Sequence, residues 1–188
     1  MQNRQSFVQF GALVGMGLVI MATAGSGAIA QDNTLAVSDR GIGAISDDTP
    51  FTRQAIAEAL PSFEIRVESI EGEGGLYKVI IASKDGAEAL RFYGYETVVR
   101  ADDSDPAIPA VDGIRIGAVF SDVYRDDGKI ACEPGMEIFA GDAVCLAPGF
   151  ENVALILSGS WDGPDGELPP LSVLSDWEVA TIIWNAPF

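Results

Sequence analysis

Histidine is absent from the 188 residues, and lysine plus arginine number only 11 against 28 aspartates and glutamates. Without an imidazole the chain cannot by itself build a Ser-His-Asp triad, a Cys-His pair or a histidine-ligated zinc site. A formal net charge of -17 excludes nucleic acid as a partner, because phosphate binding needs a cationic patch and this field repels polyanions. Cysteine is almost as scarce. Cys132 and Cys145 are the only two, and their spacing is unlike the C-x-x-C of redox catalysts. What is plentiful is apolar: 48% of the residues, with nine Phe, four Tyr and three Trp. That supplies a packed core for one domain, and about two thirds of the surface of a chain this size is buried on folding, so stability calls for no metal and no cofactor.

Only one long hydrophobic run occurs, at residues 10–23, preceded by the single charge of Arg4 and followed by the small-residue stretch Ala28-Ile29-Ala30. This is the three-part layout of a secretory signal peptide with an A-x-A site cut between Ala30 and Gln31. A membrane anchor is the competing reading. Against it, the run is shorter than the ~20 residues that cross a bilayer, is rich in glycine and lacks a basic stop-transfer flank. No cysteine stands at the cut to accept a lipid, and no Arg-Arg pair marks the folded-protein export route. The expected organisation is a signal peptide at 1–30 and a single periplasmic domain at 31–188 with no permanent membrane anchor. In that oxidising compartment Cys132 and Cys145 read as a disulfide, worth roughly 3 kcal/mol by chain entropy. The turns Glu133-Pro134-Gly135 and Ala140-Gly141-Asp142 would flank a short strand at 136–139.

The mature chain reads as α+β, a sheet-rich antiparallel single domain with two short helices. Thr49-Pro50 is a helix start, Phe51, Ala55, Ile56, Ala59 and Leu60 share one helical face, and Pro61 ends it. Phe63, Ile65 and Val67 alternate with charged residues as in a half-buried strand. Residues 76–83, 89–93 and 96–100 continue a meander, with Asp85-Gly86 as a hairpin turn. Residues 102–109 read as a loop, 113–116 as a short strand, and Val119, Phe120, Val123 and Tyr124 as a second short helix. Strands follow at 153–158 and 178–184, with a helical turn near 171–176. Gly41-Ile42-Gly43-Ala44-Ile45 before the first helix faintly repeats in Gly113-Ile114-Arg115-Ile116-Gly117 before the second. Two similar strand-helix-meander halves would explain both.

Several ordered motifs then carry a resemblance: Gly41-Ile42-Gly43 with Thr49-Pro50-Phe51, Ile108-Pro109-Ala110, Phe120-Ser121-Asp122-Val123-Tyr124, the cysteine pair, Ser158-Gly159-Ser160-Trp161, and Trp177 ahead of Ile182-Ile183-Trp184. Across roughly residues 40–185 the chain resembles the bacterial envelope lipoprotein family of unknown function typified by a lipoprotein under the envelope-stress sigma factor. The resemblance implies a domain without an assigned activity, cofactor or catalytic residue. It also implies a lipid-accepting cysteine, which is missing here: Ala30-Gln31 stands in its place.

Among candidate sites, Asp162, Asp165 and Glu167 share the glycine-rich loop at 161–167 and offer oxygen ligands to a cation such as calcium. Their spacing differs from an EF-hand, and a tight turn anchored by Trp161 accounts for the same residues. Asp102-Asp103-Ser104-Asp105 reads as a solvated acidic loop and Asp126-Asp127-Gly128-Lys129 as a turn. Asp162 with Glu167 would serve glycoside hydrolysis, which needs two carboxylates and no histidine. Trp161, Trp177 and Trp184 are sugar-stacking candidates or, by default, core. The leading expectation is a non-enzymatic periplasmic domain that binds an envelope protein or another envelope component. A carboxylate hydrolase of envelope glycans and a calcium-binding stress protein are the alternatives.

Overall fold

Alternating apolar and charged residues assemble into an eight-stranded antiparallel sheet in the computed structural model, which describes residues 35–72, 74–110, 112–125, 130–164 and 166–187. Ala30, Gln31 and the rest of the expected signal peptide lie outside the described residues, as do Asp165 and residues 126–129. The elements are β1 (Val37–Ser38), β2 (Gly41–Ile42), α1 (Arg53–Ala59), β3 (Glu64–Gly72), β4 (Gly75–Lys84), β5 (Ala87–Gly94), β6 (Val98–Asp103), α2 (Phe120–Val123), β7 (Cys132–Pro134), β8 (Ala143–Leu146), β9 (Val153–Ser158), α3 (Leu171–Leu174) and β10 (Glu178–Asn185). A 3-10 turn at Glu137–Phe139 joins β7 to β8. β1 and β2 form a separate ribbon, and the large sheet runs β3-β4-β5-β6-β10-β9-β8-β7. Asp85 and Gly86 both have positive φ, 52° and 82°, the backbone that a two-residue hairpin between Lys84 and Ala87 demands.

Four local expectations are corrected. Thr52, not Thr49, caps α1: its hydroxyl accepts from the Ala55 amide at 3.2 Å. Thr49 is already used, its hydroxyl accepting from Ser46 N and its carbonyl from Val98 N. Residues 113–116 form a turn, because Gly113 and Gly117 take φ of 84° and 83° and close Gly113 N to Ala110 O. Residues 136–139 cannot be extended with Glu137 at φ 53°; the turn instead brings Phe139 over the Arg100 guanidinium, 5.5 Å from the ring centroid. Asp102 and Asp103 are no solvated loop. They end β6, 8% and 0% exposed, because β10 pairs with that strand through its last residue.

The strand order is a palindrome, and the register explains why. β6 and β10, the last strands of two four-stranded meanders, pair antiparallel with Asp102 opposite Ile183, Asp103 opposite Ile182 and Ala101 opposite Trp184. A two-fold axis through the Asp102–Ile183 pair exchanges the halves. In the first half Leu90, Arg91, Phe92 and Tyr93 pair with Asp103, Asp102, Ala101 and Arg100; in the second, Val153, Ala154, Leu155 and Ile156 pair with Trp184, Ile183, Ile182 and Thr181. Each ladder is interrupted at the same point, between Tyr93 and Gly94 in one and between Val179 and Thr181 in the other. The entry to each half is also alike. Phe51 N donates to Glu96 O and Val98 N to Thr49 O, just as Phe120 N donates to Trp177 O and Val179 N to Ala118 O, all at 2.8–2.9 Å. The expected repeat therefore holds for the two meanders and the entry to each, as a property of the hydrogen-bond register, but not for the strand expected before the second helix, since 113–116 is a turn.

The main core lies on the face covered by α1 and the segments before α2, around Ile56, Ile80, Phe92, Phe120, Leu155 and Trp184. Trp184 Nε1 donates to Asp39 O at 3.0 Å, while Asp39 Oδ1 accepts from Glu151 N and Asn152 N, which ties the β1–β2 turn to the second half. Among the described residues no helix is long and apolar enough to cross a membrane.

Candidate functional site

Cys132 and Cys145 stand directly opposite in β7 and β8, with their Cα atoms 4.0 Å apart and their sulfurs at bonding distance. They enclose the connection 133–144, and that connection forms one wall of a cleft. Pro134, Gly135, Ala140, Gly141 and Asp142 line it on one side; Trp161, Gly163, Pro164, Gly166, Glu167 and Trp177, from the long β9–β10 connection, line it on the other. Its volume is about 350 Å³, within the range of small-molecule sites.

Glycines set the two indoles in place. A Cβ at Gly163 would overlap the six-membered ring of Trp161, and one at Gly159 would overlap the pyrrole side of Trp177, so backbone lies flat on each ring. Trp177 is held from both directions: its amide donates to Leu174 O at 3.0 Å and its carbonyl accepts from Phe120 N at 2.8 Å. The side chain is 4% exposed, yet its Nε1 is buried without a hydrogen-bond partner among the described residues. A buried indole N–H left unpaired costs roughly 1–3 kcal/mol. Trp161 is half-buried. Asp142 Oδ1 accepts from Ser158 Oγ at 2.7 Å, which orients the carboxylate, and Glu167 stands exposed on the opposite loop.

The arrangement differs from the expected one in one member. Asp162 is exposed and does not line the cleft, whereas Asp142, visible in the sequence only as part of a turn, does. Glu167 is in the cleft as the hydrolase and cation readings require, but with Asp142 as its counterpart. Asp165 lies outside the described residues. Among the described residues no three acidic or cysteine side chains converge as a metal site. Of the three tryptophans, Trp184 is core, Trp177 is both core and cleft wall, and Trp161 is wall. Indole faces pack against the C–H faces of flat rings, and carboxylate oxygens accept from hydroxyls and ammonium groups.

A second polar group lies at the two-fold axis. On the sheet face away from the main core, Arg100 makes a bidentate pair with Asp102, at 2.6 and 2.8 Å, and stacks over Tyr93 at 5.0 Å. Arg91, opposite Asp102, pairs with Glu88 at 2.7 and 3.0 Å. Burial raises the Asp102 carboxyl above its ordinary range although the Arg100 hydrogen bond pulls it down. Asp103 points to the other face, between Leu90 and Ile182. Its Oδ1 accepts from Asp105 N at 2.9 Å and its Oδ2 has no partner among the described residues, so burial pushes this carboxyl up to about 8. Sequence offered no sign of this, since an acidic run reads as solvent-facing.

Comparison with known proteins matches residues 29–186 to a family model described as "Protein of unknown function (DUF1131)". The chain is 33% identical over 152 residues to the uncharacterized protein YfeY of Escherichia coli strain K12, covering 79% of this chain and 78% of that protein. A crystal structure of the uncharacterized YfeY from Escherichia coli is similar with a TM-score of 0.70, at 33% identity, over 80% of this chain and 99% of that one.

Proposed function

The chain belongs to the DUF1131 family of proteins of unknown function, and from that premise we propose that it is an exported, non-enzymatic domain of the bacterial envelope that binds a saccharide in the Trp161–Trp177 cleft. Its envelope setting is supported by the leader layout of residues 1–30, with cleavage between Ala30 and Gln31. A disulfide that persists only in an oxidising compartment points the same way. With no cysteine at the cut, the mature chain is a periplasmic relative of envelope lipoproteins released from the membrane.

One observation carries the binding reading: two indoles and two carboxylates of separate connections line one cleft. The carboxylates and the chain's charge favour a neutral or amino sugar over an anionic one. Hydrolysis is the second reading. It needs one carboxyl kept protonated by burial, and here Glu167 is exposed while Asp142 is engaged by Ser158. The test is a titration of the mature protein with N-acetylglucosamine oligomers, followed by tryptophan fluorescence. A saturable change that Trp161→Ala abolishes at an unchanged melting temperature is expected; an unresponsive spectrum refutes the reading. Product analysis of the same mixtures is expected to find intact oligomers, and cleavage that disappears in Glu167→Gln would make the protein an enzyme.

A further inference from the structure

The large sheet ends in two unlike edges. β7 is three residues long and closes on Pro134, which has no N–H to offer a further strand. β3 is nine residues long, contains no proline and has β4 on one side only. A long edge of this kind is a template for another strand.

Hydrogen bonds elsewhere in the sheet fix which groups β3 turns outward. Ser104 N donates to Ala89 O at 2.9 Å. Arg91 and Asp102, two residues further in on each strand, therefore exchange bonds across β5–β6, and Leu90 and Phe92 turn to β4. Their partners there, Ala82 and Ile80, turn to β5, so Ile81 and Val79 turn to β3 and meet Arg66 and Glu68. Ile65, Val67 and Ser69 are left with their backbone groups facing away from the sheet. Arg53 Nε reaches the Ile65 carbonyl from that side at 2.9 Å. Among the described residues no bond is made to the outward N–H and C=O of Val67 or Ser69.

An edge pairs antiparallel with its own copy about a two-fold axis, and the side chains select where that axis falls. Centred on Val67, the ladder sets Arg66 opposite the second copy's Glu68 and Glu68 opposite its Arg66 on one face, with Val67 against Val67 on the other. Centred on Arg66 or Glu68 it sets like charges together. Centred on Ile65 it needs the carbonyl that Arg53 holds, and centred beyond Glu68 it leaves Arg66 with no carboxylate opposite. Val67 is an apolar residue 45% exposed, and Arg66 and Glu68 already face each other at 2.6 Å, both about half exposed. Exchange of their partners between copies therefore buries no unpaired charge. There is also room. A hollow of about 410 Å³ is lined by Arg53, Ala57, Phe63, Glu64, Ile65 and Arg66; Ile65 and Arg66 belong to opposite faces of β3, so the hollow lies at its edge. In the Val67 register the second copy's Glu71 stands opposite Phe63, at this hollow, where Arg53 supplies a cation.

We infer that β3 pairs antiparallel with β3 of a second copy, centred on Val67, so that the chain forms a two-fold dimer with one continuous sheet, eight strands from each copy. The β7 edges, and the tryptophan clefts beside them, lie at the far ends of that sheet and take no part in the pairing. Sedimentation equilibrium of the mature protein tests this at physiological salt, where repulsion between two acidic chains is screened. A mass of two chains is expected, with association weakened at least tenfold in Arg66→Glu and in Glu68→Arg. An equimolar mixture of these two variants is expected to recover it, because the two glutamates of one copy then meet the two arginines of the other. Arg66 also bonds Ser83 within its own chain, so Val67→Lys, which leaves that bond alone and sets two ammonium groups together, is a second breaking variant. Melting temperatures verify that each variant folds. Hydrogen exchange at the Val67 amide is expected to slow as protein concentration rises. A single-chain mass even at millimolar concentration overturns the inference, including where a foreign strand is then found on β3. A dimer that survives Glu68→Arg and Val67→Lys, that the mixture fails to recover, or whose newly protected amides lie outside β3 overturns it as well.

Discussion

Asp103 and Trp184 hold equivalent places in the two halves, each 0% exposed, Asp103 opposite Ile182 and Trp184 opposite Ala101. The second half fills this place with a large apolar ring whose one polar atom is satisfied by Asp39 O. The first half fills it with a carboxyl that has one oxygen satisfied and one orphaned. The same contrast recurs elsewhere. Val67 and Ile80 pair in β3–β4, where Cys132 and Cys145 pair in β7–β8. A shared ladder fixes positions; the side chains placed on it have diverged in what they stabilise.

Breaking the apolar half of this comparison gives the largest effect. Trp184→Ala removes a fully buried indole and the bond to Asp39, and should cost about 4 kcal/mol in chemical denaturation. Removing the staple comes next. Replacing Cys132 and Cys145 by serine should cost about 3 kcal/mol, whereas Val67→Ala at the matching position, 45% exposed, should cost less than about 1 kcal/mol. Equal losses at the two places would mean that the halves are stabilised alike.

The third test sharpens the comparison through pH. Asp103 keeps its proton in the folded chain up to about 8, while the unfolded chain releases it near 3.8. A raised carboxyl contributes stability that is fully present below the unfolded value and is lost as pH climbs toward the folded one. The decline is at most about 1.4 kcal/mol per pH unit for one proton. Asp102 is raised in the same direction. Thermal melts from pH 4 to 8 should therefore fall with rising pH, and Asp103→Asn should flatten the fall, with its gain confined to the upper end. A melting temperature that rises across that window would show that neither carboxyl is held protonated.

Local pattern made most strands legible. The strand at Glu64–Gly72 and the hairpin at Asp85-Gly86 are where alternation and turn chemistry put them. Elements failed where a distant partner took over a local signal. Thr49 would have capped a helix had Val98 and Ser46 not claimed it, and Asp102-Asp103 would have been loop had β10 not paired alongside. Of the cleft, Trp161 and Glu167 were legible as a loop with chemistry. Asp142 was not, because no local feature distinguishes a turn aspartate that faces solvent from one that faces another loop.

By itself the amino-acid sequence determined the excluded chemistries, the strand-rich class and the hint of repetition, since residue types and short-range periods are properties of the chain alone. Which aromatic rings share a cleft was decided only when the connections of the second meander came together, and which carboxylates are buried only when β6 met β10. That pairing joins residues some eighty positions apart, and the free energy that selects it comes from burying both meanders at once.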